Sequence, residues 1–156
     1  PRRRGDIDFI FLIANPREGR QIKPTLAFYF AGDIPVYALP SIYDGLDNPS
    51  ANRDLNGIVF TDAPWILAGY DPLKNNAASS LRPAQGPVQR FRAMGIDSFR
   101  LYARLQQFND GDIATLPGAT GVLSMDENGR IHRRLEVARF VEGKATLENS
   151  AGTASD

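Results

Sequence analysis

The chain offers few residues with which to do covalent chemistry. It holds one histidine, His132, and no cysteine. Nucleophilic catalysis needs an activated nucleophile with a base in reach. His132 sits between Ile131 and Arg133, with Arg134 next. Such cations disfavour an imidazolium without making a catalyst, so His132 reads as a structural or surface residue. The absence of cysteine removes disulfides, thiolate catalysis and thiolate-bound metals. Asp110 and Asp112 flank a glycine, and Asp126 and Asn128 share a tight turn. Neither pair has the other oxygen ligands of a calcium loop, nor its sixth-position glycine, so both read as turn chemistry. There is no Gly-x-Ser-x-Gly elbow, no Gly-x-x-x-x-Gly-Lys loop and no Gly-x-Gly-x-x-Gly. With 18 acidic residues, a carboxylate pair for glycoside hydrolysis stays open, but nothing singles one out. The expectation is a protein with no catalytic residue, no metal ligands and no cofactor.

What remains is binding. Ligands of open α/β sheets sit in loops after the carboxyl ends of the strands. Here those loops are Asn15 to Arg17, Pro40 to Gly45, and Asp62 to Trp65. The first lacks the glycines that would let a pyrophosphate approach its backbone. Tyr43, Asp44, Asp62 and Trp65 are the residues expected to touch a partner or ligand. Trp65 combines a large apolar area with one donor, a common interface anchor. The competing reading is a tryptophan that covers the core beneath a long loop.

The elements that would hold these loops follow from patterning. Ile7 to Ala14 is a nearly continuous apolar run, long enough for a strand buried on both faces. Asn15-Pro16-Arg17-Glu18 carries an N-cap, a first-turn proline and a capping-box carboxylate. The helix is expected to end at Ala31, with Gly32 as its left-handed terminus. Ile22, Leu26, Tyr29 and Phe30 form its face towards the sheet. Pro24 predicts a kink or short break. Ile34 to Leu39 is the next strand, completing a right-handed βαβ unit.

A third strand is expected over Gly57 to Thr61, and a loop over 68–85. A helix from Arg90 to Phe108 carries a stripe of Phe91, Met94, Phe99, Tyr102, Leu105 and Phe108. A hairpin closes the pattern: strand Gly121 to Met125, turn Asp126 to Gly129, strand Arg130 to Phe140. Residues 147–156 read as a disordered tail.

Composition sets the outer limits. The chain has 156 residues, enough for a real core. Acidic and basic residues balance at 18 each, which argues against a dedicated nucleic-acid binder. Arg2, Arg3 and Arg4 read as a solvated terminus. No stretch approaches the roughly 18 apolar residues that span a membrane. The chain begins without Met and enters a core strand within a few residues, so it reads as a piece of something longer.

The order of elements resembles the later part of a type I periplasmic-binding-protein fold: α/β, with parallel βαβ layers and a late β-hairpin. Within that superfamily the wording is similar to the LpoA family of outer-membrane lipoproteins, which activate class A penicillin-binding proteins. The stretches that carry this are Asp6 to Ala14, Ile22 to Gly32, Ile34 to Ala38, Arg53 to Gly57, Asp62 to Trp65 and Gly129 to Leu135. The resemblance implies that residues 1–146 are the C-terminal portion of a bilobed domain. About 7–48 would belong to one lobe and about 49–146 mainly to the other. It implies a non-catalytic regulator of peptidoglycan synthesis whose partner is a class A penicillin-binding protein. It implies a periplasmic segment of a parent anchored to the inner face of the outer membrane. The alternative is a small-ligand receptor that takes an amino acid, a peptide or a cell-wall fragment.

Overall fold

The structure is a computed structural model that describes residues 5–67 and 86–148. The Arg2 to Arg4 terminus, the 68–85 segment and the tail from residue 149 lie outside the described residues. The chain divides into two compact units. Pro1–Thr61 with Val137–Asp156 forms unit 1, and Asp62–Glu136 forms unit 2.

Unit 1 is built on a five-stranded sheet. Its strands are β1 (Ile10–Leu12), β2 (Val36–Ala38), β3 (Val59–Asp62), β7 (Glu136–Val141) and β8 (Lys144–Leu147), in that spatial order. β1, β2 and β3 run parallel, and β7 pairs with β8 antiparallel. The sheet is therefore α/β with a parallel core, as the βαβ pattern requires. It takes in β3 as well, because Tyr37 and Ala38 pair with Val59 and Phe60.

Helix α1 (Pro16–Phe28) crosses from β1 to β2. Its capping box forms as expected. Asn15 Oδ1 accepts from Glu18 N at 3.0 Å, and Glu18 Oε2 accepts from Asn15 N at 2.9 Å. Gly19 brings α1 close to the core: a Cβ there would lie 2.4 Å from Ile42 and 2.9 Å from Leu55. Pro24 does not break the helix. Its lost donor is outweighed by the capped first turn and by the bonds that close the last one.

That last turn departs from expectation. It closes at Tyr29, and Phe30, not Gly32, adopts the left-handed conformation, with φ 62°. Phe30 N donates to Ala27 O at 3.1 Å and Ala31 N to Leu26 O at 2.8 Å. This is a Schellman motif with an aromatic where glycine belongs. A Cβ in that region costs about 1–2 kcal/mol. Phe30→Gly is therefore expected to raise stability by about 1 kcal/mol in urea unfolding. Tyr29 and Phe30 are also exposed and do not face the sheet.

The first strand is a second correction. Leu12 and Ala14 are buried, but Phe11 is 56% and Ile13 70% exposed. A strand buried on both faces needs a layer on each side. Among the described residues only one side of β1 has such a layer. Pairing shortens the apolar run to Ile10–Leu12, because β1 stands at the end of the sheet order.

The unit 1 core is aromatic. Phe60 and Phe140 stack with centroids 5.0 Å apart, and Tyr43 packs against them at 5.7 and 5.8 Å. Ile42, Leu55, Ile58 and Val36 complete it, all buried. Such rings favour offset and edge contacts, which add to their burial.

Unit 2 carries helix α2 (Pro87–Tyr102), helix α3 (Leu105–Asn109) and an antiparallel sheet of β4 (Thr115–Pro117), β5 (Val122–Met125) and β6 (Ile131–Arg134). The expected single helix is two, interrupted at Ala103 and Arg104. The expected stripe is mostly exposed: Phe91, Met94, Phe99, Tyr102 and Leu105 face outward, and Phe108 is buried. The residues that α2 buries are Ala93 and Asp97. Periodicity locates an apolar face without saying what covers it.

The expected hairpin forms at Asp126 to Gly129, where Gly129 takes φ 74° and Asp126 N donates to Arg130 O at 3.0 Å. Its second strand is not continuous. It divides near Leu135 into β6 and β7, which belong to different sheets. Two short strands, β4 and β8, lie where none was expected.

Candidate functional site

The loop after β2 belongs to unit 1. Pro40–Ile42 forms one turn of 3-10 helix, started by a proline that suits its first position. Ser41 Oγ donates to Ala14 O at 2.9 Å, tying the loop to the end of β1. Tyr43 turns inward onto Phe60 and Phe140. Its hydroxyl donates to Asp47 Oδ1 at 2.9 Å, and Ala145 N donates to the same oxygen at 3.3 Å. Asp44 is half-buried, and its carboxylate accepts from Leu46 N at 3.0 Å. Of the loop's two named residues, Asp44 has the accessible side chain and Tyr43 is buried.

The loop after β3 belongs to unit 2 and is buried almost throughout, from Asp62 to Leu67. Asp62 is 1% exposed. It accepts from Ala63 N at 2.8 Å and from Arg90 Nε at 2.9 Å, and Arg90 Nη2 bonds its other oxygen. The guanidinium thus grips the carboxylate with both arms, the geometry that makes Arg–carboxylate pairs specific. Trp65 is 3% exposed, with Nε1 donating to Gln89 Oε1 at 2.9 Å and its backbone N to Ala119 O at 3.0 Å. Gln89 and Arg90 both lie in the first turn of α2, so the loop and the helix start are clamped together. Trp65 is here the core-covering tryptophan, with its donor satisfied inside.

A third arrangement was not foreseen. Asp97 on α2 is 3% exposed and accepts three bonds from the 118–121 loop. Ala119 N and Thr120 N donate at 2.7 Å each, and Thr120 Oγ1 donates at 2.6 Å. Gly118 makes room for this, because a Cβ there would fall 2.6 Å from Asp97 Oδ2. One signal could have exposed it. Ala93 and Asp97 are one turn apart, so the acid shares the buried side of its helix. Beside it, a hollow of about 270 Å³ is lined by Met94, Leu101, Leu123 and Ile131 on one hand and by Asp97, Ser98, Thr120 and Arg133 on the other. Its wall is half polar, and the Asp97 carboxylate is already engaged by the loop.

His132 lies on exposed β6, with Nε2 2.8 Å from Asp126 Oδ2. That contact, with the N–H groups of Arg130 and Asn128, holds the Asp126 carboxyl below its usual range. Both residues serve the hairpin turn. No group of three or more potential metal ligands occurs among the described residues. No described helix is long and apolar enough to cross a membrane.

The comparisons with known proteins agree with this architecture. The family model described as "LppC putative lipoprotein" matches residues 1–143. A penicillin-binding protein activator LpoA from Vibrio cholerae is 29% identical over 141 residues, 88% of this chain and 23% of that protein. Among solved structures, the LpoA C-domain from Haemophilus influenzae, described as a regulator of PBP1A, superposes with a TM-score of 0.74. It is 21% identical, over 94% of this chain and 46% of that one. A chain from Chromobacterium violaceum described as a "putative branched-chain amino acid ABC transporter" superposes with a TM-score of 0.66. It is 26% identical, over 87% of this chain and 43% of that one. The present chain thus spans about a quarter of the Vibrio protein and just under half of either folded neighbour. With the family model matched over nearly its whole length, the chain belongs to the LppC lipoprotein family.

Proposed function

We propose that this chain is part of a non-catalytic regulator of peptidoglycan synthesis. It binds a class A penicillin-binding protein from the outer-membrane side and stimulates its transpeptidase activity. The parent is a periplasmic lipoprotein held at the inner face of the outer membrane. The observation that carries the reading is the alignment of 88% of the chain with a protein named as a penicillin-binding protein activator. The chemistry of the described residues is consistent with it. Asp62, Asp97 and Trp65 spend their polar groups on internal partners. A regulator of this kind works by binding one conformation of its partner more tightly than another, so it needs a shaped surface and no reactive group.

The partner contact expected of Tyr43, Asp44, Asp62 and Trp65 takes a narrower form in this proposal. Asp44 meets the partner directly. Tyr43, Asp62 and Trp65 hold their loops from behind. The test is a transpeptidase assay of a class A synthase with and without the domain that contains this chain, alongside a photo-crosslinker placed at Asp44. Cross-linked product is expected to rise on addition, with an adduct to the synthase. An unchanged rate together with no adduct would sink the proposal. The receptor reading is favoured by the fold shared with chains such as the Chromobacterium one. A large rise in melting temperature of that domain with a peptide or muropeptide, and none with the synthase, would establish it instead.

A further inference from the structure

Strand β6 (Ile131–Arg134) ends the three-stranded sheet of unit 2 and pairs with β5 alone. Its register decides which backbone groups are left over. Asp126 N donates to Arg130 O, so these two form a bonded pair. Bonded and non-bonded pairs alternate along an antiparallel ladder. His132 and Arg134 therefore turn their N–H and C=O groups towards β5, and Ile131 and Arg133 turn theirs outward. Gly121 agrees with this phase, since a Cβ there would lie 2.3 Å from Arg134 O. Among the described residues no hydrogen bond reaches the outward groups of Ile131 and Arg133. A row of donors and acceptors thus stands open at this edge.

The two faces beside the edge differ. Side chains alternate across a strand. His132 and Arg134 share one face with Ser124 and Val122, around a hollow of about 250 Å³ that Thr115 also lines. The polar side chains of that hollow are hydroxyls, an imidazole and guanidinium groups, and no acid lines it. Ile131 and Arg133 lie on the face towards α2 and line the hollow of about 270 Å³. There Met94 and Ile131 are exposed apolar side chains, and the one acid, Asp97, is engaged by the 118–121 loop. Among the described residues Arg133 and Arg134 take part in no ion pair. The acids nearest in sequence stand off the strand, Asp126 and Glu127 in the turn and Glu136 in β7, and Asp126 is bonded to His132.

We propose that β6 is a docking strand for an extended peptide segment of a protein partner, with carboxylates at alternate positions and apolar side chains between them. The segment adds antiparallel beside β6 and bonds the outward groups of Ile131 and Arg133. Its carboxylates fall on the outer face, against Arg134. Its apolar side chains fall on the α2 face, against Met94 and Ile131. In this mode of recognition backbone bonds supply affinity, and hollows for alternate side chains supply choice. Charged residues on an edge strand commonly discourage pairing. Here the arginines repel a second copy of β6 and favour an acidic strand. The inference rests on the geometry of unit 2 and not on the synthase reading.

The test measures fluorescence anisotropy of short labelled peptides with the full-length protein that contains this chain. A peptide of alternating glutamate and leucine is expected to bind. The same residues in two blocks, and alternating lysine and leucine, are each expected to bind at least about tenfold more weakly. Backbone N-methylation separates strand addition from charge attraction. Directly opposed residues share a face, so the leucine amides point at β6 and the glutamate amides point away. Methylating the leucine amides is expected to lower affinity by about tenfold or more, and methylating the glutamate amides to change it little. Arg134→Glu is expected to weaken the alternating peptide by about tenfold, with an unchanged far-UV circular dichroism spectrum, since the residue is exposed. Should that variant fail to fold, the methylated pair decides on the wild-type protein. No binding, equal binding of the block peptide, or any other response to methylation overturns the proposal. So does a homodimer of the protein that Arg134→Glu breaks.

Discussion

Asp97→Ala is expected to destabilise the protein by about 4 kcal/mol, read as a drop in the urea midpoint at unchanged slope. Three donors converge on this carboxylate within 2.7 Å, two of them backbone N–H groups of a buried loop. A hydrogen bond to a charged acceptor is worth about 1.5–3 kcal/mol, and bonds that share one acceptor do not add in full. Removing the acceptor also leaves Ala119 N and Thr120 N buried without it. The residue is 3% exposed, so water does not readily take its place. Asp97→Asn should cost less, about 2 kcal/mol, because one oxygen survives while the new amide hydrogens point at existing donors. A loss below about 1 kcal/mol for the alanine variant would mean that the 118–121 loop holds its shape unaided.

Arg90→Met is expected to cost about 3 kcal/mol in the same measurement. Its partner Asp62 is 1% exposed, and removing the guanidinium leaves that charge with little more than the Ala63 N–H. Breaking a buried pair from one side typically costs about 3–5 kcal/mol. The Arg90 side chain is 25% exposed, which places this case at the lower end. The companion variant is informative. Arg90→Met with Asp62→Leu removes both charges and is expected to recover most of the loss, since an apolar pair of similar volume often replaces a buried ion pair at little cost. If the double variant is no better than the single, the pair is holding the start of α2 by geometry and not by charge. In the assay of synthase activation, both single variants should lose activation only in proportion to lost folded protein.

The contrast between those two sites and the start of α1 explains what could be read in the chain. Asn15 and Glu18 are three residues apart, so their bonds follow from local geometry and were visible in the sequence. The Asp126 to Gly129 turn is visible for the same reason. Asp62 was singled out as a loop residue, but its partner Arg90 lies 28 positions away with no periodic link. Asp97 and its loop are separated by 22 and 23 positions, and only its place one turn from Ala93 hints at burial. Sequence reading likewise gave Trp65 two roles, and only its contact with Gln89 separates them. The family resemblance was legible because its wording is spread over most of the chain. Patterning found the apolar runs of β1 and α2 correctly and misjudged their burial, because periodicity does not say what covers an apolar face, and among the described residues these faces stay exposed. Phe30 could not have been foreseen, since a glycine two positions on offered the better left-handed terminus.

The placement of β3 beside β7 has a kinetic consequence. These strands are neighbours in the sheet, yet the whole of unit 2 lies between them in the chain. Bringing Phe60 against Phe140 means closing a long loop before the contact gives anything back. A disordered segment of that length makes closure slow, while a segment already folded presents its two ends as a single rigid body. Early folding of unit 2, through the local α2 turns and the β5–β6 hairpin, would therefore speed completion of the unit 1 sheet. During synthesis β7 and β8 follow unit 2, so β3 waits without its β7 neighbour until unit 2 has emerged.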